Sequence, residues 1–214
     1  MTFTYASLFS GIGGFEQALN KLGGKCIFAS EIDKFAAQAY EVLYGHKPAG
    51  DITKIDAKDI PDHDLLTAGF PCQAFSVAGK RKGFEDTRGT LFFEIARIAK
   101  EKRPKALLLE NVKGLVNHDK GRTLDIMIET LNEIGYTVDF EILNSKYFGV
   151  PQNRERIFIV AIRDDLIKQE PWIIEGNTIV PKGKRRISEY EWAKTFNFDW
   201  PEQTEVTTRL RDIL

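Results

Sequence analysis

The chain has 214 residues, with 30 lysines and arginines against 31 aspartates and glutamates, so its formal net charge is −1. A near-neutral chain has no global positive field, and any surface that attracts nucleic acid must be local. Hydrophobic residues make up 43% and charged residues 29%, which is typical of a globular chain with one sizeable domain. No apolar run approaches the about 18 residues of a membrane span and no leader pattern is present, so we expect a cytoplasmic protein without membrane contact.

Strand-like and helix-like segments alternate along the chain, as judged from apolar runs and from apolar residues at helical spacing. The predicted strands are 5–9, 26–29, 50–52 (or a loop), 65–68, 106–109, 137–143 and 157–162. The predicted helices are 15–22, 35–44, 91–100 and 124–131. This alternation predicts an α/β fold with a doubly wound, mostly parallel sheet and an antiparallel strand near its end.

The character of the sequence changes near residue 165. Beyond it lie three prolines, a run of aromatic residues, and a basic cluster at Lys182, Lys184, Arg185 and Arg186. We expect one domain over residues 1–165 and an irregular extension over residues 166–214.

The cysteines and histidines do not indicate a metal site. Cys26 and Cys72 have no cysteine or histidine at ligand spacing, which argues against zinc and, in a reducing compartment, against a disulfide. The histidines, His46, His63 and His118, lie in polar stretches, and we expect each to be solvated.

Cys72 lies just after the predicted strand 65–68, which Gly69 and Pro71 end. Reactive groups of α/β sheets lie at such strand ends. A segment rich in glycine, lysine and arginine follows at 79–89, so the thiol is a candidate nucleophile for an anionic substrate. A buried structural cysteine is the alternative, and the local sequence leaves both open.

A second candidate site lies between the first predicted strand and helix. The turn Gly11-x-Gly13-Gly14 allows a ligand to approach the backbone closely. Glu31, at the end of the second strand, is placed to accept hydrogen bonds from ribose hydroxyls. The pattern fits NAD, FAD or S-adenosylmethionine, although it lacks the glycine spacing of pyrophosphate-binding turns, and a structural turn is the alternative.

Charged residues flank two later strands. Glu110 follows four apolar residues, where burial disfavours the charged form and suits a group that donates a proton or a hydrogen bond. Arg154 and Arg156, two apart at a strand start, are expected to point to one side and suit a phosphate, a carboxylate or a base edge. Solvated charges are the alternative for all three.

Four stretches, in this order, resemble the successive motifs of the bacterial cytosine-5 DNA methyltransferases. They are SLFSGIGGF at 7–15, GFPCQ at 69–73, ENV at 110–112 and QNRER at 152–156. Ordered motifs at matched spacing arise by chance far less often than a single motif. The resemblance covers roughly residues 4–165 and implies a Rossmann-like fold that binds S-adenosylmethionine.

The resemblance also implies catalytic roles. Cys72 would add to C6 of a cytosine, Glu110 would hydrogen-bond or protonate N3, and Arg156 would contact O2. Arg154 would support the region around the cysteine and the glutamate. The cytosine would leave the duplex to be reached, with a basic loop closing over it. The residues expected to contact double-stranded DNA are Gln73, Ser76, Lys80 and Arg88.

The implied cofactor is S-adenosylmethionine. The residues expected to line its pocket are Phe9, Gly11, Gly14, Glu31, Ile32, Asp51, Ile52, Pro71 and Leu91. Among them, Asp51 and Ile52 would meet the adenine edge. Ile32 stands where a family member has tryptophan, so the adenine would lose a stacking partner worth ~1 kcal/mol.

Family members carry a further lobe that reads the DNA sequence and a last helix that returns to the catalytic domain. The resemblance finds neither, so we expect the catalytic part of such an enzyme, which would need a complementing C-terminal half for sequence-specific activity. Its apolar seam would be covered by a complementing C-terminal polypeptide or by self-association. The alternatives are an inactive module that binds S-adenosylmethionine or DNA, a tRNA cytosine-5 methyltransferase, and a nicotinamide oxidoreductase.

Overall fold

The computed structural model describes residues 2–71 and 91–212. The described residues form a six-stranded sheet in the order β2-β1-β3-β4-β6-β5, together with five α-helices. The strands are β1 (Phe3–Leu8), β2 (Gly24–Ser30), β3 (Leu65–Gly69), β4 (Ala106–Val112), β5 (Tyr136–Asn144) and β6 (Glu155–Arg163). The helices are α1 (Gly14–Lys21), α2 (Lys34–Tyr44), α3 (Leu91–Lys102), α4 (Arg122–Glu133) and α5 (Ile179–Ser188).

The sheet is parallel from β2 to β4, and β6 lies antiparallel between β4 and β5. The predicted sheet, mostly parallel with an antiparallel strand near its end, is therefore confirmed. Leu8, Ala68 and Leu109 are paired across β1, β3 and β4, so the carboxyl ends of these strands meet at one edge. The chain crosses β1 on its way from β2 to β3, which makes this edge the switch point where α/β sheets bind ligands.

One face of the sheet carries the main core. Leu107 and Leu109 of β4 point to this face and share a buried cluster with Ile95 and Ile98 of α3. Each such side chain stabilises the fold by about 1.5–3 kcal/mol when it leaves water. Because side chains alternate along a strand, this burial directs Glu110 to the opposite face.

One boundary differs from the sequence prediction. Strand β4 continues to Val112, because β6 pairs with it as far as Arg156, so Glu110 lies within the strand rather than after it. Of the strand or loop predicted at 50–52, the structure has the loop, in which Asp51 caps a short 3-10 turn over Ile52–Lys54.

Helix α5 lies in the segment that was expected to be irregular. Gly183 lies inside it and weakens the local helical signal, whereas Pro181 lies in its first turn, where proline is tolerated. Tertiary contacts compensate: Lys184 pairs with Asp139 of β5 at 2.6 Å, and Trp200 Nε1 donates to the same carboxylate at 2.7 Å. The domain boundary at residue 165 stays a prediction.

His63 also differs from expectation, since it is 7% exposed rather than solvated. Its Nδ1 lies 2.8 Å from the carbonyl oxygen of Pro61, and burial lowers the pKa of its ring. Over residues 2–71 and 91–212, no helix has the length and apolar character to cross a membrane. The same ranges hold no group of three or more His, Cys, Asp or Glu side chains placed to bind a metal ion.

Candidate active site

The turn between β1 and α1 contains three residues with left-handed backbone conformation. Phe9, Gly11 and Gly13 have φ values of 54°, 56° and 88°. For Phe9, which is not glycine, this conformation costs about 1 kcal/mol or more. The turn is held by its neighbours, because the Ser10 N–H donates to the Ser30 carbonyl at the end of β2 at 2.9 Å. Strain of this kind is typical of a functional site.

Glu31 follows β2 and faces this turn. Its Oε2 accepts a hydrogen bond from the Gly11 N–H at 2.7 Å, and its Oε1 accepts one from the Asp33 N–H at 2.7 Å. A carboxylate has about four lone-pair sites, so both oxygens can accept a further donor. The backbone thus fixes the orientation of the Glu31 carboxylate, and its contact with a ribose stays a prediction. The next side chain, Ile32, is 73% exposed.

Open space and unpaired polar atoms surround the turn. A Cβ built on Gly11 or on Gly14 meets no atom within 4 Å. In the described part of the chain, four buried oxygens around the turn lack a hydrogen-bond partner: Oγ of Ser7, Ser10 and Ser30, and Oε2 of Glu16. Buried polar atoms are nearly always paired, so these oxygens are expected to meet a ligand or ordered water. The residues present therefore fit a polar molecule such as S-adenosylmethionine, which carries ribose, carboxylate and ammonium groups.

The remaining predicted cofactor residues lie around the same edge of the sheet. The carboxylate of Asp51 accepts hydrogen bonds within the turn that it caps, and the side chain of Ile52 belongs to the core. Pro71 is exposed at the end of a described range, and Leu91 is half-buried at the first turn of α3. Their contact with a cofactor stays a prediction.

Glu110 and Arg156 form an ion pair at this edge. Nε of Arg156 lies 2.9 Å from Oε1 of Glu110, and the two side chains are 22% and 24% exposed. Nη1 of Arg156 also donates to the Glu155 carbonyl at 2.8 Å, which fixes the orientation of the guanidinium group. A guanidinium has five N–H donors, so this pair can still bind a third polar group.

Gly69 allows the Glu110 carboxylate to lie against β3. The two residues are paired across the β3–β4 ladder, and a Cβ at Gly69 would lie 3.3 Å from Oε2 of Glu110. The ring of Phe15 lies 3.9 Å from the same position, so α1, β3 and β4 meet here. Three interstrand spacings separate the ends of β2 and β4, so the edge from Glu31 to Glu110 spans about 14 Å.

Arg154 is placed differently from Arg156. It precedes β6, its side chain is exposed, and its backbone N–H donates to Oδ1 of Asn144 at 3.1 Å. Between the two arginines, Glu155 accepts hydrogen bonds from Nζ of Lys113 at 2.9 and 2.8 Å. Of the two arginines, the described geometry brings Arg156 to Glu110.

Five predicted site residues lie outside the described residues. They are Cys72, Gln73, Ser76, Lys80 and Arg88. Their roles stay predictions.

The sequence did not single out Asn111, although it lies in the ENV stretch. Its side chain is 2% exposed; Nδ2 donates to the Phe70 carbonyl at 2.9 Å, and Oδ1 accepts from the Val112 N–H at 2.8 Å. Asn111 thereby links the end of β4 to the residue two positions before Cys72. The position of an amide side chain at the end of an apolar strand could have marked Asn111 as a candidate. Its hydrogen-bond partner could not be predicted, because Phe70 lies 41 residues away in the sequence.

Comparison with known proteins decides the family. Residues 3–214 match the family described as C-5 cytosine-specific DNA methylase. The chain belongs to this family. The resemblance in the four motifs is therefore confirmed, and members of the family use S-adenosylmethionine as the methyl donor.

Named relatives of the chain come from phages and bacteria. The orphan methyltransferase M.Rho11sI of Bacillus phage rho11s is 53% identical over 215 residues, which cover 97% of this chain and 42% of the relative. The type II methyltransferase M.HhaI of Haemophilus parahaemolyticus is 51% identical over 179 residues, which cover 82% of this chain and 55% of the relative. The chain thus spans about half the length of the curated relatives that it matches.

A solved structure supports the fold. The crystal structure of the S. pombe Dnmt2 methyltransferase aligns with a TM-score of 0.64 at 26% identity, over 80% of this chain and 52% of that chain. The chain therefore has the Rossmann-like fold of S-adenosylmethionine-dependent methyltransferases.

Proposed function

We propose that the chain is the catalytic part of a DNA cytosine-5 methyltransferase, acting on a cytosine flipped out of double-stranded DNA. The observation that carries the proposal is the Glu110–Arg156 pair at the carboxyl edge of the sheet, 2.9 Å apart and part-exposed, within the family's own motifs. A cytosine ring offers N3 and O2 side by side, and a carboxyl group beside a guanidinium group matches that edge. The cytoplasmic location expected from the sequence stays part of this proposal.

In the proposed mechanism, the protonated carboxyl of Glu110 donates a hydrogen bond, and then its proton, to N3, while Arg156 donates to O2, so that C6 is opened to attack. The Cys72 thiolate adds to C6, and C5 becomes nucleophilic. S-adenosylmethionine would supply an electrophilic methyl group and leave as S-adenosylhomocysteine. Transfer of the C5 proton to a base, return of the N3 proton to Glu110 and departure of the thiolate from C6 then restore the ring. Arg154 supports the region around the cysteine.

Covalent trapping tests this mechanism. Fluorine at C5 of cytosine cannot leave as a proton does, so the DNA adduct persists through denaturing electrophoresis. We expect an adduct when the chain, S-adenosylmethionine and fluorocytosine duplex are mixed, and none with Cys72→Ser. Glu110→Gln is expected to slow adduct formation about 100-fold or more. The matched control is Asp165→Asn, because Asp165 pairs with Arg163 at the far end of β6 and its loss should leave the rate unchanged.

A polypeptide partner is a second part of the proposal. Leu65, Ala106 and Ile162 are paired side by side on the face opposite the main core, and all three are half-buried. Leu108 and Phe158 on the same face are half-buried as well. We propose that a complementing C-terminal polypeptide or a second copy covers this face.

Three measurements distinguish the alternatives. Sedimentation velocity of the chain alone detects self-association, and trapping with the C-terminal part of M.HhaI added as a separate polypeptide detects complementation. The proposal of a polypeptide partner is contradicted if the chain is monomeric and if adding the C-terminal part of M.HhaI leaves the adduct yield unchanged. Absence of an adduct under all conditions favours an inactive binding module, and preferential methylation of tRNA over duplex DNA favours a tRNA methyltransferase.

A further inference from the structure

Helix α2 reaches the glycine turn through two tyrosine hydroxyls. Tyr44 OH donates to the Gly13 carbonyl at 2.6 Å. One helical turn earlier, Tyr40 OH donates to Oε1 of Glu16 at 3.1 Å, and the two rings are in contact with their centroids 4.7 Å apart. Neither tyrosine lies among the predicted cofactor residues, yet together they hold the turn and the start of α1.

The Tyr44 ring fills the space beside Gly13. Gly13 has a φ of 88°, and a Cβ at this position would overlap the Tyr44 ring. The neighbouring Gly14 differs, because a Cβ there meets no atom within 4 Å. The turn is therefore packed against α2 at one residue and open at the next.

The Tyr44 hydroxyl is one of three groups that hold this part of the turn. The Gly13 carbonyl also accepts a hydrogen bond from the Gln17 N–H at 3.1 Å, and the Gly13 N–H donates to the Ser10 carbonyl at 2.9 Å. The Tyr44 bond is the one that ties Gly13 to α2. If the turn loses this bond, a smaller fraction of molecules holds the receptive conformation, and the apparent affinity falls with that fraction.

We propose that Tyr44 is a positioning residue, which holds the Gly13–Gly14 turn in the conformation that receives S-adenosylmethionine. The inference rests on the proposed function, because the cofactor is part of it. It extends the cofactor site to α2, because the Tyr44 side chain of this helix packs against Gly13.

Isothermal titration of the full chain with S-adenosylmethionine and with S-adenosylhomocysteine tests the inference. Tyr44→Phe keeps the ring and removes the hydroxyl, and its affinity is expected to fall about 3- to 10-fold for both ligands. The control is Tyr190→Phe, because the Tyr190 hydroxyl lies 3.3 Å from Asp125 and outside the cofactor site. Its affinity should equal that of the wild type.

Thermal unfolding without ligand separates positioning from general stability. A merely structural role would lower the unfolding midpoint of Tyr44→Phe and leave the affinity of the folded protein unchanged. If the wild type binds the ligands and Tyr44→Phe binds them with the same affinity, the inference about Tyr44 is overturned and the proposed cofactor is not. A wild-type chain that binds neither ligand overturns the proposed cofactor and this inference with it.

Discussion

Asn111 offers the sharpest test of how the site is held. Asn111→Asp preserves the size of the side chain and keeps Oδ1 as the acceptor for the Val112 N–H. It replaces the Nδ2 donor by an oxygen, which would then face the Phe70 carbonyl at the 2.9 Å of the native hydrogen bond. Two acceptors at that separation repel each other, and the buried carbonyl of Phe70 loses its partner.

The expected loss of stability follows from these contacts. A buried carbonyl without a donor costs about 1–3 kcal/mol, and a charged carboxylate at a site 2% exposed costs more. We therefore expect Asn111→Asp to lower the free energy of unfolding by about 2–4 kcal/mol at neutral pH. A protonated carboxyl can donate to the carbonyl, and burial raises the pKa of the new side chain, so the deficit should shrink as the pH falls.

Asn132→Asp is the matched control. Asn132 is also 2% exposed, and its Nδ2 donates to the backbone carbonyls of Tyr136 at 2.8 Å and Lys194 at 3.0 Å, far from the candidate site. Urea unfolding should show a loss for Asn132→Asp at least as large as that for Asn111→Asp, because two carbonyls lose their donor. Only Asn111→Asp should also slow adduct formation, by about 100-fold, because a displaced Phe70 carbonyl shifts the backbone that leads to Cys72.

Two results would refute this reasoning. The first is an adduct rate of folded Asn111→Asp within twofold of the wild type, which would show that the Asn111–Phe70 bond does not position the nucleophile. The second is an equal slowing by Asn132→Asp, which would show that the rate reports stability alone.

Other sites give further predictions. Gly13→Ala should destabilise the fold by about 2 kcal/mol or more, because Gly13 has a left-handed backbone and its Cβ would overlap the Tyr44 ring. Gly14→Ala should cost less than about 1 kcal/mol, because a Cβ there meets no atom within 4 Å, and urea unfolding of both variants checks this. Arg156→Lys keeps the charge but loses the planar fork, so trapping should slow about 10-fold, while Arg163→Lys at the far end of β6 should not change it; equal rates in all three proteins would contradict the role of Arg156. Burial lowers the pKa of His63, so the unfolded chain takes up a proton at this residue before the folded chain does as the pH falls below about 6.5. The free energy of unfolding should therefore decline toward about pH 5.5 more steeply than in His63→Gln, and parallel stability curves would refute this.

The sequence by itself determined the alternation of strands and helices and the order of the motifs. These follow from local periodicity and turn chemistry, which act over a few residues whatever the rest of the chain does. The position of Glu31 at the end of β2 and of the glycine turn at the end of β1 was readable for the same reason. Those two elements already indicated a site at the carboxyl edge of the sheet.

Only the tertiary structure decided which distant groups meet. The antiparallel insertion of β6 beside β4 brings Arg156 to Glu110, and no local pattern encodes that neighbour. Asn111 reaches Phe70 over 41 residues, and Tyr44 reaches Gly13 over 31. Helix α5 forms although Gly183 opposes it, because burial against the sheet outweighs a local cost of about 1 kcal/mol. The contribution of local helix propensity to stability is smaller than that of burial, and burial depends on which strands become neighbours.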